Sequence, residues 1–151
     1  MNVSIGCDHG GYFLKEEIKK YLINSNVHVL DRGCYSIERV DYPIYAKDVA
    51  VDVSKKDCDF GILVCTTGIG MSICANKVKG VRAALVCCEE ASKLTREHNN
   101  SNVLCLGAKF TPIDEAIKIV KTFLSQKFDG DINKESRHIQ RVNLINKMEE
   151  E

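Results

Sequence analysis

A parallel α/β sheet covered by helices on both faces is the fold this sequence predicts. Three observations predict it. Five short apolar runs alternate with segments whose apolar residues recur at helical spacing. One run, Phe60–Val64, is continuously apolar, too short for a helix and rich in branched residues, as a strand buried on both faces must be. That run ends at Cys65 and passes through Thr66, Thr67, Gly68, Ile69 and Gly70 into a short helix, Met71-Ser72-Ile73-Cys74-Ala75. A strand feeding a glycine-rich turn and a helix start builds an anion site. The glycines admit close approach, and the first helical amides point at the ligand. Here a thiol stands beside those donors, a combination that points to proton abstraction next to a stabilised oxyanion.

Taken in order, Val3–Cys7 is the first strand and leads into Asp8-His9-Gly10-Gly11. Leu14, Ile18, Tyr21 and Leu22 then share a helix face among lysines and glutamates. Val27–Leu30 is the second strand. A polar connection from Cys34 to Tyr42 leads to Pro43, which suits a first helical turn, and Ala46, Val49, Ala50 and Val53 mark that helix's buried face. The third strand and its glycine turn follow. Val81–Val86 is the fourth strand, and Glu89–Glu97 a helix with acidic residues at its start. His98-Asn99-Asn100-Ser101-Asn102 reads as a polar loop before the fifth strand, Val103–Leu106. Thr111 is expected to cap the next helix with Pro112 at its first position, and Ile113, Ala116, Ile117, Val120 and Leu124 to form its apolar stripe. Asp129-Gly130-Asp131 is expected to break the chain. A last helix runs from about Ser136 to Met148, with Ile139, Val142 and Ile145 on one side. No strand follows it, so its apolar side must cover this domain or another copy of it.

The 151 residues fit one domain, 1–151, with room for a sizeable core. Lys plus Arg and Asp plus Glu both number 21, so no basic excess suggests nucleic acid. The opening MNVSIGCDHGG lacks a basic segment followed by a long apolar run, and no apolar stretch is long enough for a bilayer. The expectation is a soluble cytoplasmic protein with neither a nucleic-acid nor a membrane partner. Eight cysteines include no CxxC pair and no zinc-finger spacing. Disulfides are not expected in that compartment, and most of the eight read as small buried apolar residues.

Ligands of open parallel sheets bind beyond the C-terminal strand ends. Strand one delivers Asp8 and His9 there, strand three delivers Cys65 and Thr67, and Lys109 follows strand five. His98 and Asn99 come from the segment before strand five, which enters that strand from the opposite edge. Arg137 and Arg141, four apart, share a helix face. Each has a plainer reading. Asp8 can cap a helix, His9 and His98 can be ordinary loop residues, and the two arginines can be a solvated face. Gly68-Ile69-Gly70 is neither a dinucleotide fingerprint, since a third glycine is absent, nor a Walker loop, since no Lys-Ser/Thr follows.

The segments GCDHGG, RVDYP, GILVCTTGIGMSICANK, VRAALV, REHNNSNVLCLGAK and RHIQRV together resemble the sugar-phosphate isomerases of the ribose-5-phosphate isomerase type B family, collinearly over nearly the whole chain. The resemblance implies a Rossmann-like α/β/α sandwich of five parallel strands whose C-terminal helix packs on a partner subunit. It implies a homodimer or tetramer with shared active sites. It also implies metal-free, cofactor-free interconversion of ribose 5-phosphate and ribulose 5-phosphate, in the non-oxidative pentose phosphate pathway. Cys65 matches the base of the cysteine-bearing branch. Another branch uses a glutamate a few residues later, where this chain has Ser72, Ile73 and Cys74. Asp8 and His98 match the ring-opening pair, and Thr67 a hydroxyl at the reacting oxygens. Gly68 to Ser72, with Ile69, Gly70 and Met71 between them, match the anion hole. His9, Arg137 and Arg141 match phosphate contacts, and Asn99 a sugar contact.

Two positions depart from that pattern. Lys109 replaces a common arginine, exchanging a bidentate fork for a point charge at a substrate contact. Thr66, also in the substrate loop, replaces a common glycine. Three other readings stay open: an isomerase of a six-carbon phosphate such as allose or galactose 6-phosphate, a phosphosugar-binding module without turnover, and a thiol redox protein. The missing CxxC disfavours the last.

Overall fold

The computed structural model describes residues 1–150. Five strands, β1 (Asn2–Cys7), β2 (His28–Asp31), β3 (Phe60–Cys65), β4 (Ala83–Leu85) and β5 (Val103–Gly107), form one parallel sheet in the order β2-β1-β3-β5-β4. Helices α1 (Tyr12–Asn24), α2 (Tyr42–Ser54), α3 (Ile69–Ala75), α4 (Glu89–Asn99), α5 (Ile113–Ser125), α6 (Asp129–Ile132) and α7 (Arg137–Lys147) accompany it. The period-two alternation of the strands divides the core into two layers. Val3, Ile5, Ile62, Val64, Leu104 and Leu106 pack with α1 and α5, whereas Leu63, Cys65, Val103 and Cys105 pack with α2 and α3. The expected three-layer sandwich is therefore present. No described helix is long and apolar enough to cross a membrane.

Several boundaries differ from expectation. Strand β4 is shorter than Val81–Val86, because Asn102 takes the Arg82 amide and the Gly80 carbonyl out of the ladder. Helix α4 extends through His98 and Asn99 and stops only where Asn100 turns left-handed, at φ 49°. Thr111 does not cap α5. Pro112 occupies that position, and Thr111 is buried with its amide on the Gly107 carbonyl. The buried stripe of α5 is Ala116, Ile119, Val120 and Phe123, while Ile113 is exposed, a rotation of less than one helical turn. Asp129-Gly130-Asp131 does not break the chain but forms the single turn α6. On α7, Val142 is buried and Ile145 is exposed. Five of the eight cysteines are buried, as expected of most of them; Cys74 is half-buried, and Cys87 and Cys88 are exposed.

One buried cation braces the sheet edge that leads to the site. Lys15 is fully buried on α1, and its Nζ lies 3.0 Å from the Asp31 carboxylate and donates to the Cys34 carbonyl at 3.0 Å. Burial works to lower the Lys15 pKa, but hydrogen bonds to Glu16 and Asp31 outweigh it and hold the ammonium above its usual value. Burial likewise works to raise Asp31, yet Lys19, the Gly33 amide and Lys15 hold it below its usual value. Lys15→Ala is expected to lower unfolding free energy by about 3 kcal/mol, the low end for breaking a buried pair because Lys19 still reaches Asp31. Urea titration checks this. With its folded pKa depressed, Asp31 contributes stability above its unfolded-state pKa and loses it as acid protonates the folded carboxylate.

Candidate active site

Strand register brings the first group of residues together. Connections run from β1 outward to β2 and then back past β1 to β3, so the order reverses between β1 and β3, and ligands of such sheets bind at that point. Cys7 registers with Val64, and Cys65 with Gly107. Asp8 and Cys65 therefore leave the sheet side by side, next to the segment that carries Lys109.

The loop after β3 is shaped by what its neighbours exclude. Gly68 has φ +76°, and a Cβ there would meet Leu85 and the backbone of Leu106 and Gly107 within 2.5–3.0 Å, so only glycine fits. The Gly68 amide donates to Cys65 Sγ at 3.0 Å, placed to hold negative charge on the sulfur. Burial pushes the thiols of Cys7 and Cys105 up, with Cys34 adding to the first and Cys65 to the second, so those two stay protonated core groups. Thr67 Oγ1 accepts from the Ile69 amide at 3.3 Å. Ser72 Oγ donates to the Ile69 carbonyl at 2.9 Å, and its amide is used by the Gly68 carbonyl. Of the stretch Gly68 to Ser72, the amides of Gly68, Ile69 and Ser72 are thus taken within the loop. In the first turn of α3, the amides of Gly70 and Met71 donate to no protein acceptor among the described residues.

Around this loop stand the other groups of the same strand ends. Asp8 is buried, and its Oδ1 accepts from the Gly11 amide at 3.1 Å, so the capping role is real; its second oxygen takes no protein hydrogen bond among the described residues. A Cβ on Gly10 would fall 2.1 Å from Thr66 Oγ1, which shows how tightly the Asp8–Gly11 turn sits on Thr66. His9 Nδ1 accepts from the Val40 amide at 3.3 Å, which assigns the proton of the neutral ring to Nε2. Lys109 is exposed, and its amide on the Thr66 carbonyl at 3.0 Å fixes it at the rim. Sequence reasoning missed one neighbour, Tyr42. Its ring lies where a Cβ on Gly70 would come within 2.7 Å, so it walls the first turn of α3. In the sequence Tyr42 read as the end of a polar connection, and its segment RVDYP carried part of the family resemblance without a role for Tyr42.

The second group lies elsewhere. His98 and Asn99 occupy the last turn of α4, Arg137 and Arg141 the exposed face of α7, and the rings of His98 and His138 stack with centroids 4.3 Å apart. Helix α4 begins beyond the C-terminal end of β4 and runs back to the start of β5. Its end is tied there by Arg82 Nε on the Asn100 carbonyl at 3.0 Å. All five residues of β5, each rising ~3.3 Å, separate this end of the sheet from Cys65. One chain therefore does not bring Asp8 and His98 together. It joins Cys65, Asp8, His9, Thr66, Thr67 and Lys109 in one half-site, and His98, Asn99, Arg137 and Arg141 in another.

Comparison with known proteins bears on the chain as a whole. Residues 3–145 match the ribose/galactose isomerase family. The chain is 44% identical over 149 residues to ribose-5-phosphate isomerase B of Escherichia coli, covering 98% of this chain and 96% of that one. Its fold is similar to that of Clostridium thermocellum ribose-5-phosphate isomerase B, with TM-score 0.95 and 43% identity over 99% of this chain and 98% of the other. The Mycoplasma genitalium ribose-5-phosphate isomerase B solved with bound ribulose-5-phosphate is similar at TM-score 0.93 and 43% identity, over 99% and 97% of the two chains.

Proposed function

The chain belongs to the ribose/galactose isomerase family, and from that premise we propose that it interconverts D-ribose 5-phosphate and D-ribulose 5-phosphate through an enediolate. The observation that carries the reading is Cys65 Sγ at the end of β3, 3.0 Å from the Gly68 amide and beside Asp8 at the point where strand order reverses. Isomerisation moves a proton between C2 and C1. Cys65 takes it from one carbon and returns it to the other, and a positioned base of this kind contributes typically ~10²–10⁴-fold in rate. The charge that develops on the sugar oxygens meets the free amides of Gly70 and Met71 and the Thr67 hydroxyl. One such donor is worth about 2.7–4 kcal/mol. This route asks for no metal or organic cofactor.

Ribose 5-phosphate must first open its furanose, which calls for an acid and a base on the closed ring. Asp8 and His98 suit those roles when the second half-site comes from another copy of the chain. His9, Lys109, Arg137 and Arg141 then surround the phosphate, and Asn99 meets the sugar. Exposed Leu144, Ile145 and Met148 on the end of α7 give a second copy an apolar surface to cover. We therefore read the active form as a homodimer or a tetramer, working in the cytoplasm in the non-oxidative pentose phosphate pathway.

A coupled isomerase assay on ribose 5-phosphate and allose 6-phosphate, with and without chelator, tests the reading. Turnover of the five-carbon substrate that persists in chelator is expected. Turnover of the six-carbon substrate alone would move the chain to the neighbouring branch, and none on either would leave a binding module.

A further inference from the structure

We propose that His138 is a positioning residue for His98: the face of its imidazole, stacked on that of His98, holds the His98 ring in the plane from which it acts on the closed sugar. The inference rests on the isomerase reading of the site and adds a residue to it. The two rings lie with centroids 4.3 Å apart and planes 12° from parallel, a geometry that fixes one plane by the other. The hydrogen bonds of this corner are made by Arg82, Thr95, Arg96, Asn100, Ser101 and Ser136 and, among the described residues, by neither ring. The stack is therefore what orients His98, which hangs half-buried from the last turn of a helix.

His138 is fit to serve as the fixed member. It is buried in the first turn of α7, where its amide donates to Ser136 Oγ at 3.2 Å and Ser136 in turn donates to Asp129. The next residue, Ile139, is held against Gly130, where a Cβ would come within 2.6 Å of it. Burial first, then His98, Arg137 and Arg141, push the His138 imidazole below its usual pKa, against a smaller opposing pull from Asp129. At neutral pH it is an uncharged plate, and His98 stacks on it without like-charge repulsion. Arg137 and Arg141 flank it in sequence, so one helical turn carries both the phosphate contacts and the support of the ring-opening group.

The test compares His138→Ala and His138→Phe in the full chain. Ribulose 5-phosphate has no furanose, because its C5 oxygen carries the phosphate, so only ribose 5-phosphate needs ring opening. The comparison is read in kcat, since kcat/KM in the two directions is tied by the overall equilibrium. His138→Ala is expected to lower kcat on ribose 5-phosphate by roughly ten- to a hundredfold, the scale of a displaced catalytic group. KM for that substrate should fall with it as closed sugar accumulates in the site, and kcat on ribulose 5-phosphate should fall less. His138→Phe keeps a flat face and should recover most of the loss. In parallel, the His98 Cε1–H resonance, assigned by its absence in His98→Asn, should move downfield in the alanine variant and stay upfield in the phenylalanine variant. An alanine variant with native kcat and an unmoved resonance overturns the proposal. So does a folded phenylalanine variant as impaired as alanine. If alanine does not fold, the phenylalanine variant and its resonance decide alone. A native protein without isomerase activity sinks the isomerase reading instead, while the resonance still reports the stack.

Discussion

Cys65→Ala is expected to abolish isomerisation while leaving ribose 5-phosphate binding measurable. The loss should be at least the ~10²–10⁴-fold worth of a positioned base, and larger if no water can replace the sulfur. Cys65 is buried to 5% exposure on the α2–α3 face of the sheet, so the pocket beside it is largely closed to solvent bases. Removing one sulfur leaves the Gly68 turn in place, because the left-handed Gly68 and its packing on Leu85 and Gly107 do not depend on the thiol. Binding through the phosphate should therefore survive, and the effect should fall on kcat. Exchange of the C2 proton of ribose 5-phosphate in heavy water, followed by NMR, isolates the step and should stop in the variant. Exchange at a near-native rate would remove Cys65 from the base role. Cys65→Ser is expected to be nearly as inactive, since a hydroxyl does not ionise in the range where a thiol does.

What was legible in the sequence, and what was not, divides along physical lines. The strand β3 and the glycine turn after it were legible, because a continuous apolar run followed by two glycines leaves local marks. The sheet and its three layers followed from five such runs. The end of α4 was not legible. His98-Asn99-Asn100-Ser101-Asn102 has the composition of a loop, and only the left-handed Asn100 shows where the helix stops. The phase of α5 was misread by part of a turn, because Ile113 and Leu124 are as apolar as the Ile119 and Phe123 that are buried. The donors of the anion site could not be counted from sequence either. Whether an amide is free depends on the Cys65 sulfur and the Thr67 hydroxyl, which claim Gly68 and Ile69. His138 left no mark, because a histidine between two arginines reads as a charged face. The separation of the two half-sites was visible only in outline, as a loop entering β5 from the far edge.

That separation leads to the second large effect. Mixing two inactive variants, Cys65→Ala and His98→Asn, by unfolding and refolding them together is expected to restore turnover of ribose 5-phosphate. The reason is the direction of the chain. Cys65 and Asp8 stand at the C-terminal ends of β3 and β1, while α4 carries His98 back to the start of β5, with the length of that strand between them. Neither group can cross the sheet without unfolding it, so a site that uses both must draw them from two copies. In a two-fold dimer each site pairs the Cys65 half of one chain with the His98 half of the other. A mixed dimer then collects both defects in one site and leaves its second site intact. Random assembly makes half the dimers mixed, with one good site in each, so activity should return to about a quarter of that of the native protein. Each variant refolded alone sets the baseline. If mixed dimers are shown to form and turnover stays at that baseline, each site was defective once, and His98 serves the pocket of its own chain. That outcome would require the two sheet ends to meet within one subunit, against the parallel register of β3 and β5. Arg137→Ala in place of His98→Asn should complement Cys65→Ala in the same way, because Arg137 lies on the α7 turn whose His138 stacks on His98. Alone, Arg137→Ala should mainly raise KM, since the phosphate takes no part in the proton transfer. Part of kcat is lost only as far as that remote contact positions the sugar.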